Sequence, residues 1–280
     1  MLTSGFIKQK ARKSLQDNWI TAILLFLIIG VVGLVLSVII SILQQPYIEN
    51  ADRYYDLLVN TKNSVYIEYY FTEMMKAYAF ELIQLAEYFY IWIFTFPALL
   101  FFMSVSEGEK GTLSDFKKNF NRIWEGFKTY LIMGVRIFLW SLLFILPGII
   151  KTFSYALTPM IKAKNPERTV NECIAESERI MSGKKSSLFV LYLSFIGWYL
   201  LLAVVNVCLE AIPYAGMYLS AVASFVGGAV LNAYVMMSEV EFYHESVNPT
   251  RVVYVGPNVP PPPPKIDVFD EKDPFNETVT

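Results

Sequence analysis

Long runs of apolar residues alternate with shorter polar segments along most of the chain. A helix needs roughly 17–25 apolar residues to cross the hydrocarbon of a bilayer, and all but one of the runs reach that length. Because a chain in lipid must satisfy its own backbone hydrogen bonds, the pattern predicts an all-α, polytopic membrane helical bundle of about six spans in three hairpins. The predicted spans are residues 19–43, 88–105, 129–146, 149–161, 187–209 and 213–237.

The fourth run, residues 149–161, is short for a crossing. At 1.5 Å per residue it gives roughly 20 Å of helix, against about 30 Å of hydrocarbon. Pro147 and Gly148 precede it and are predicted to break the helix, since proline lacks an N–H donor and glycine permits a turn. Two interpretations stay open: the run crosses as a sixth span, or it is a half-helix that re-enters the membrane.

The distribution of charged residues predicts on which side of the membrane each loop between the spans lies. The segment 44–77 carries five acidic and three basic residues, whereas 107–128 and 162–185 are rich in Lys and Arg. Short loops rich in Lys and Arg stay on the cytoplasmic side. Two consecutive cytoplasmic loops need an even number of crossings between them. The charges therefore predict that both termini are cytoplasmic and that residues 129–161 go out and come back.

Polar segments flank the predicted spans. Residues 6–18, 112–128 and 170–185 are basic and amphipathic, and each is predicted to lie in the membrane interface before a hairpin. The membrane domain is predicted to cover 1–245. Residues 246–280 contain five consecutive prolines, 260–264, followed by an acidic stretch, and this composition predicts a disordered cytoplasmic tail.

Composition narrows the chemistry. Apolar residues make up 55% of the chain and charged residues 17%, and the net charge of −2 gives no support for nucleic-acid binding. His244 is the one histidine, and Cys173 and Cys208 are the two cysteines. We therefore predict no metal site, no cofactor and no catalytic residues, and expect that the protein is not an enzyme.

Polar residues inside the runs are the candidate functional groups. Arg136 lies about seven residues into the third run, and a charge in hydrocarbon usually has a partner or a function. Its predicted depth matches Asn232 and, just beyond, Glu239. A contact with substrate or lipid phosphate is one interpretation of Arg136. A structural pair, or a side chain that reaches back to the headgroups, is the favoured one.

Small residues form a stripe at four-residue spacing on the last run. Such residues let two helices approach closely, and the stripe is interpreted as a packing seam within the bundle, with an oligomer face as the alternative. Pro147-Gly148 could form a broken-helix site, but a hairpin turn is favoured. The seam consists of Gly216, Ser220, Ser224 and Gly228.

Two stretches carry a resemblance to a known family. The first is residues 139–159, which read LWSLLFILPGIIKTFSYALTP; the second comprises Asn165-Pro166, Ser177, Met181, residues 183–185 and 193–198. They resemble a bacterial membrane-protein family, found mainly in Firmicutes, that is number nine-seven-five in the domain-of-unknown-function series. The resemblance extends over roughly residues 5–245. It implies a multi-pass protein of the bacterial plasma membrane and no catalytic residues.

Three functions are compatible with these observations. The leading hypothesis is a non-enzymatic protein that binds or organises a partner at the membrane, with the proline-rich acidic tail as the contact. The alternative is a transporter or a protein that handles lipids or peptides, using Arg136 and the small-residue seam. An integral membrane enzyme is third, because no two acid–base groups are predicted at one depth. The lipid bilayer is the only partner that composition itself implies; oligomeric state is not indicated.

Overall fold

Ten α-helices make up almost all of the described chain. The computed structural model describes residues 2–248, except for the side chains of residues 84–89 and 92. No β-strand occurs in this part, as predicted for an all-α protein. A four-residue 3₁₀ turn, Asn119–Arg122, lies between α4 and α5. The helices are α1 Ser4–Ser14, α2 Trp19–Thr61, α3 Val65–Ser106, α4 Leu113–Lys118, α5 Ile123–Leu143, α6 Ile145–Tyr155, α7 Thr158–Lys164, α8 Val170–Ile180, α9 Lys185–Glu210 and α10 Gly216–Val247.

Four helical stretches within residues 2–248 are long and apolar enough to cross a membrane. They are Trp19–Thr61, Leu113–Leu143, Lys185–Glu210 and Gly216–Val247, and a shorter apolar stretch is Ile93–Ser106. Their length and composition indicate a membrane protein, in agreement with the prediction from the apolar runs.

The first two long helices extend far beyond the thickness of a bilayer. α2 has 43 residues and α3 has 42, which corresponds to about 64 Å each at 1.5 Å per residue. They pack against each other in antiparallel fashion. The turn between them includes Lys62, which adopts the left-handed conformation at φ 53° and ends α2. The polar segment after residue 43, expected to be a loop, is therefore a helical hairpin.

The helix break in the α5–α6 hairpin lies earlier than predicted. Phe144 is extended, with φ −160° and ψ 146°, and α6 begins at the next residue. Pro147 occupies the first turn of α6, where a missing N–H costs no hydrogen bond. A Cβ on Gly148 would lie 2.0 Å from the Ser141 Oγ, so glycine is needed for the two limbs to approach. The run 149–161 is not one helix, since α6 ends at Tyr155.

The tightly buried core lies at the end of the bundle that carries α1, α7 and α8. Phe101 and Phe102 from the end of α3 and Phe242 from the end of α10 are almost fully buried there. Along the rest of α2, α9 and α10 many aliphatic side chains are exposed, for example Val207 at 68%. Exposed aliphatic residues on long helices fit lipid as the surrounding solvent.

The amphipathic helices are packed more deeply than the sequence predicts. Ile7 and Ala11 on α1, and Leu15 directly after it, are almost fully buried in the protein. The same is true of Cys173 and Ile174 on α8. Their apolar faces therefore contact protein rather than acyl chains. α10 continues to Val247, two residues into the predicted tail, and the remainder of that tail from residue 249 lies outside the described residues.

Candidate functional site

Arg136 contacts α8 rather than the last helix. Its Nη2 donates a hydrogen bond to Oδ1 of Asn171 at 2.9 Å, at a partly exposed position. Asn232 and Glu239, which the sequence places at the depth of Arg136, make contacts elsewhere. The predicted grouping of these three residues is therefore not formed in the structure. The Asn171 contact fits the structural interpretation of Arg136, with a neutral partner in place of a charged one.

Asn232 and Glu239 instead form a polar seam with two tyrosines of α9. The Tyr192 hydroxyl donates to Oε1 of Glu239 at 2.8 Å, and the Tyr199 hydroxyl donates to Oδ1 of Asn232 at 3.0 Å. Both pairs of residues are seven apart in sequence, which is two helical turns, and α9 and α10 run antiparallel. The two hydrogen bonds therefore lie on one face of each helix.

Glu239 is the unusual member of this seam. Within residues 2–248 no Lys, Arg or His nitrogen lies within ion-pair distance of its carboxyl group, and the Tyr192 hydroxyl is its hydrogen-bond donor. The hydroxyl group of Tyr130 on α5 lies close enough to interact electrostatically with the Glu239 carboxyl group. A carboxyl group without a cation inside a membrane helix is costly and usually functional. It can accept a proton or attract a cationic group.

The small-residue stripe on α10 packs only in part. Gly216 lies against the carbonyl oxygens at the end of α9, and Ser220 is buried. Ser224 is exposed, and a Cβ on Gly228 would meet open space. The close contact with α9 is made by the next residue, Gly227, where a Cβ would lie 2.7 Å from a Leu202 methyl group.

A buried ionic cluster joins α1 to the end of α10. Lys10 Nζ lies 2.7 Å from Oε1 of Glu245 and 3.3 Å from Oε2 of Glu241, whose side chains are 3% and 2% exposed. The Ser14 hydroxyl donates to Oε1 of Glu241 at 2.6 Å. Partial burial alone would lower the pKa of the Lys10 ammonium. Its hydrogen bond to Glu245 and the field of Glu241 outweigh burial and raise that pKa above 10.5.

The outer part of the α2–α3 hairpin carries exposed apolar and aromatic side chains. Phe71 is 60% exposed and Met75 is 67% exposed. They line a shallow, open groove on α3 with Glu68, Thr72, Lys76 and Ala79. On the same hairpin Tyr54 stacks on Tyr66 and Tyr69, with ring centroids 6.5 and 5.3 Å apart. The hairpin thus combines a regular helical scaffold with an apolar surface.

Several groups with defined contacts were not identified from the sequence. Lys162 is 7% exposed, although the sequence indicates only one more basic residue of a polar segment. Its ammonium donates to the Pro166 carbonyl oxygen at 2.7 Å and lies 3.4 Å from a carboxylate oxygen of Glu125. Burial raises the pKa of the Cys173 thiol, as expected for an unreactive cysteine. The seven-residue spacing shared by the Tyr192–Tyr199 and Asn232–Glu239 pairs is a signal that could have revealed the polar seam. Within the described residues no three His, Cys, Asp or Glu side chains are placed to hold a metal ion.

Comparisons with known proteins find similarity to one family over part of the chain. No curated protein and no solved structure matches the chain. Residues 144–248 match a family model described as "Protein of unknown function (DUF975)". The matched region contains α6 to α10, and with them the polar seam and the α10 side of the ionic cluster. Over these residues the match confirms that the chain is similar to the family that its sequence motifs indicated.

Proposed function

We propose that this is a non-enzymatic membrane protein that binds a protein partner through its projecting α2–α3 hairpin. The observation that carries the proposal is the exposed groove around Phe71 and Met75 on a helix that continues past the bilayer. Large exposed apolar patches on otherwise polar surfaces are typical of protein interaction sites, and Tyr, Phe and Met are enriched in such interfaces. The stacked Tyr54, Tyr66 and Tyr69 add to the aromatic surface of this hairpin.

The proposed orientation places this hairpin outside the cell and both termini in the cytoplasm. Its support is the distribution of charge: the five acidic residues of 44–77 lie on the projecting hairpin, and the Lys-rich and Arg-rich helices lie at the opposite end of α3. The packing of α2 on α3, α5 on α6 and α9 on α10 fits three hairpins, the first and last of which cross the membrane. The proposed membrane is a bacterial plasma membrane. The proline-rich tail, beyond the described residues, remains a second proposed contact on the cytoplasmic side.

Site-specific photo-cross-linking in intact cells tests the proposal. A benzophenone amino acid at Met75 is expected to give a discrete protein adduct that Phe71→Ser abolishes. The matched control is the same probe at Val59, which is 54% exposed on the same hairpin but outside the groove. Differently tagged copies of the chain show whether the adduct is a second copy. Equal cross-linking yields at Met75 and Val59, or no adduct at Met75, would contradict the proposal.

A second candidate function is transport, or the handling of a lipid or peptide. The carboxyl group of Glu239, which has Tyr192 as a donor and no nearby cation among the described residues, favours it. Arg136 no longer supports this function jointly with Glu239, since the two contact different partners. If the protein carries a cationic or proton-coupled substrate, Glu239→Gln is expected to abolish uptake while folded yield stays normal. Uptake that survives Glu239→Gln argues against a role of this carboxyl group in transport.

A further inference from the structure

The tip of the α5–α6 hairpin is an apolar surface that no part of the described chain covers. Its five consecutive residues, 142–146, have exposed fractions of 67%, 63%, 74%, 76% and 72%. Phe144 forms the break, with Leu143 and Ile145 ending and beginning the two helices. Five exposed large apolar residues in sequence have an unfavourable free energy in water. The tip is therefore expected to lie in lipid.

A polar or charged side chain on each limb of this hairpin is bound to α8. On α5, Arg136 is hydrogen-bonded to Asn171 of α8. On α6, Lys151 forms an ion pair with Glu178, also of α8. Asn171 and Glu178 are seven residues apart and therefore lie on one face of α8. We call these four residues the polar collar.

α8 cannot lie in hydrocarbon, and this fixes the depth of the collar. It has charged residues at 172, 176, 178 and 179, and its apolar face already packs on the hairpin through Ile174, beside Met133 and Tyr155. Charged side chains in the bilayer core are strongly disfavoured without a polar environment. The collar, bound to this helix, is therefore held at the level of the headgroups.

The distance from the collar to the tip then decides how deep the hairpin goes. Eight residues separate Arg136 from Phe144 and six separate Lys151 from Ile145, which corresponds to about 12 and 9 Å of helix. Half of the hydrocarbon core is about 15 Å thick. We propose that the α5–α6 hairpin does not cross the membrane but inserts its tip into the acyl chains of the cytoplasmic leaflet, with the polar collar at the headgroups.

Three further observations agree with insertion into one leaflet. α6 has 11 residues, about 16 Å, so the return limb is too short to cross. Of the four span candidates the stretch that contains α5 has the lowest mean hydropathy, 1.3 against 1.6 to 3.3. A hairpin that returns to its own side also keeps the basic segments 107–128 and 162–185 on one face, as their charge requires. Of the two alternatives that the sequence leaves open, crossing and re-entry, the proposal selects re-entry.

Cysteine accessibility in oriented membrane vesicles tests the proposal. The experiment uses full-length protein in which Cys173→Ser and Cys208→Ser remove the native thiols. In this background, Phe144→Cys is expected to react with a membrane-impermeant thiol reagent about 100-fold more slowly than cysteines at exposed turn positions, whichever face the reagent is added to. The reason is that a thiolate does not form in hydrocarbon. The turn controls are Ser182→Cys, expected to react from the cytoplasmic face, and Ile212→Cys, expected to react from the outside.

A depth measurement separates insertion from simple burial. A bimane label at Phe144→Cys is expected to be quenched most strongly by lipids that carry a nitroxide near the end of the acyl chain. A reaction of Phe144→Cys from outside at the rate of Ile212→Cys would show a full crossing and overturn the proposal. A reaction from the cytoplasmic face at the rate of Ser182→Cys, or strongest quenching by a headgroup nitroxide, would do so as well. Leu146→Cys, also at the exposed tip, replaces Phe144→Cys if the latter does not fold.

Discussion

Replacing Lys10 by Met isolates the contribution of the ionic cluster that holds α1 against α10. Met keeps the length and much of the apolar stem but removes the ammonium that bridges Glu241 and Glu245. Breaking a buried pair by removing one partner costs about 3–5 kcal/mol when both groups are buried. Lys10 is 34% exposed, so solvent screens part of the interaction and about 2 kcal/mol is the expected loss. The Lys10→Met substitution should weaken the packing of α1 against α10 before it destabilises the whole bundle.

Thiol labelling measures that docking directly. Ala11 is fully buried on α1, so Ala11→Cys, present in every variant compared, reacts only when α1 leaves its site. A loss of about 2 kcal/mol raises the labelling rate roughly 30-fold, since 1.4 kcal/mol is tenfold. Lys13→Met is the control, because it removes the same charge from an exposed position on α1. A rate for Lys10→Met within twofold of Lys13→Met would refute the reasoning. Because the folded-state pKa of Lys10 is raised, its contribution should be fully present below pH 10.5 and be lost as the pH rises through the raised pKa.

Two further predictions concern the polar seam and the start of α8. Tyr192→Phe leaves the Glu239 carboxyl group without its hydroxyl donor, and it should lower the free energy of unfolding in detergent solution by about 1–3 kcal/mol. Tyr199→Phe should lower that free energy by less, because its partner Asn232 is exposed. Equal effects of the two substitutions would contradict this. Hydrogen bonds from the Thr169 backbone and side chain hold the pKa of Glu172 below 4.5, so the capping box stabilises α8 above that pH and is lost as the pH falls through the lowered pKa. The protection factors of the amides in the first turn of α8, corrected for intrinsic exchange, should therefore fall in acid. Glu172→Gln, which removes the titrating group, should abolish that pH dependence, and an unchanged dependence in Glu172→Gln would argue against the cap.

The helices themselves follow from local sequence. Runs of apolar residues such as 19–43 and 187–209 set the positions of α2 and α9, because length and hydropathy are properties of a single segment. The start of α8 can also be predicted from local sequence, because Thr169 followed three residues later by Glu172 is a capping-box sequence. The structure has both hydrogen bonds of this capping box. These features depend on neighbours within a few residues.

Features that depend on residues far apart in the chain could not be predicted from the sequence. Asn171, the partner of Arg136, lies 35 residues away in a segment predicted to lie in the membrane interface, and no periodicity connects the two. The extended break at Phe144 precedes the proline that should mark it, because a proline in the first turn of a helix is harmless and gives no stop signal by itself. The charge distribution predicts that α8 lies on the cytoplasmic side, but it could not indicate that this helix packs along a hairpin.

The length of the α2–α3 hairpin also restricts which proteins can reach its groove. The apolar part of α3 begins near residue 88, and the groove lies between residues 68 and 79. At 1.5 Å per residue its floor stands about 14 to 30 Å above the edge of the hydrocarbon. A membrane protein with only short loops on that side would pass beneath it. In the proposed orientation, with the hairpin outside the cell, the groove would therefore be open to soluble proteins there and to membrane proteins whose outer domain is at least as tall as the hairpin.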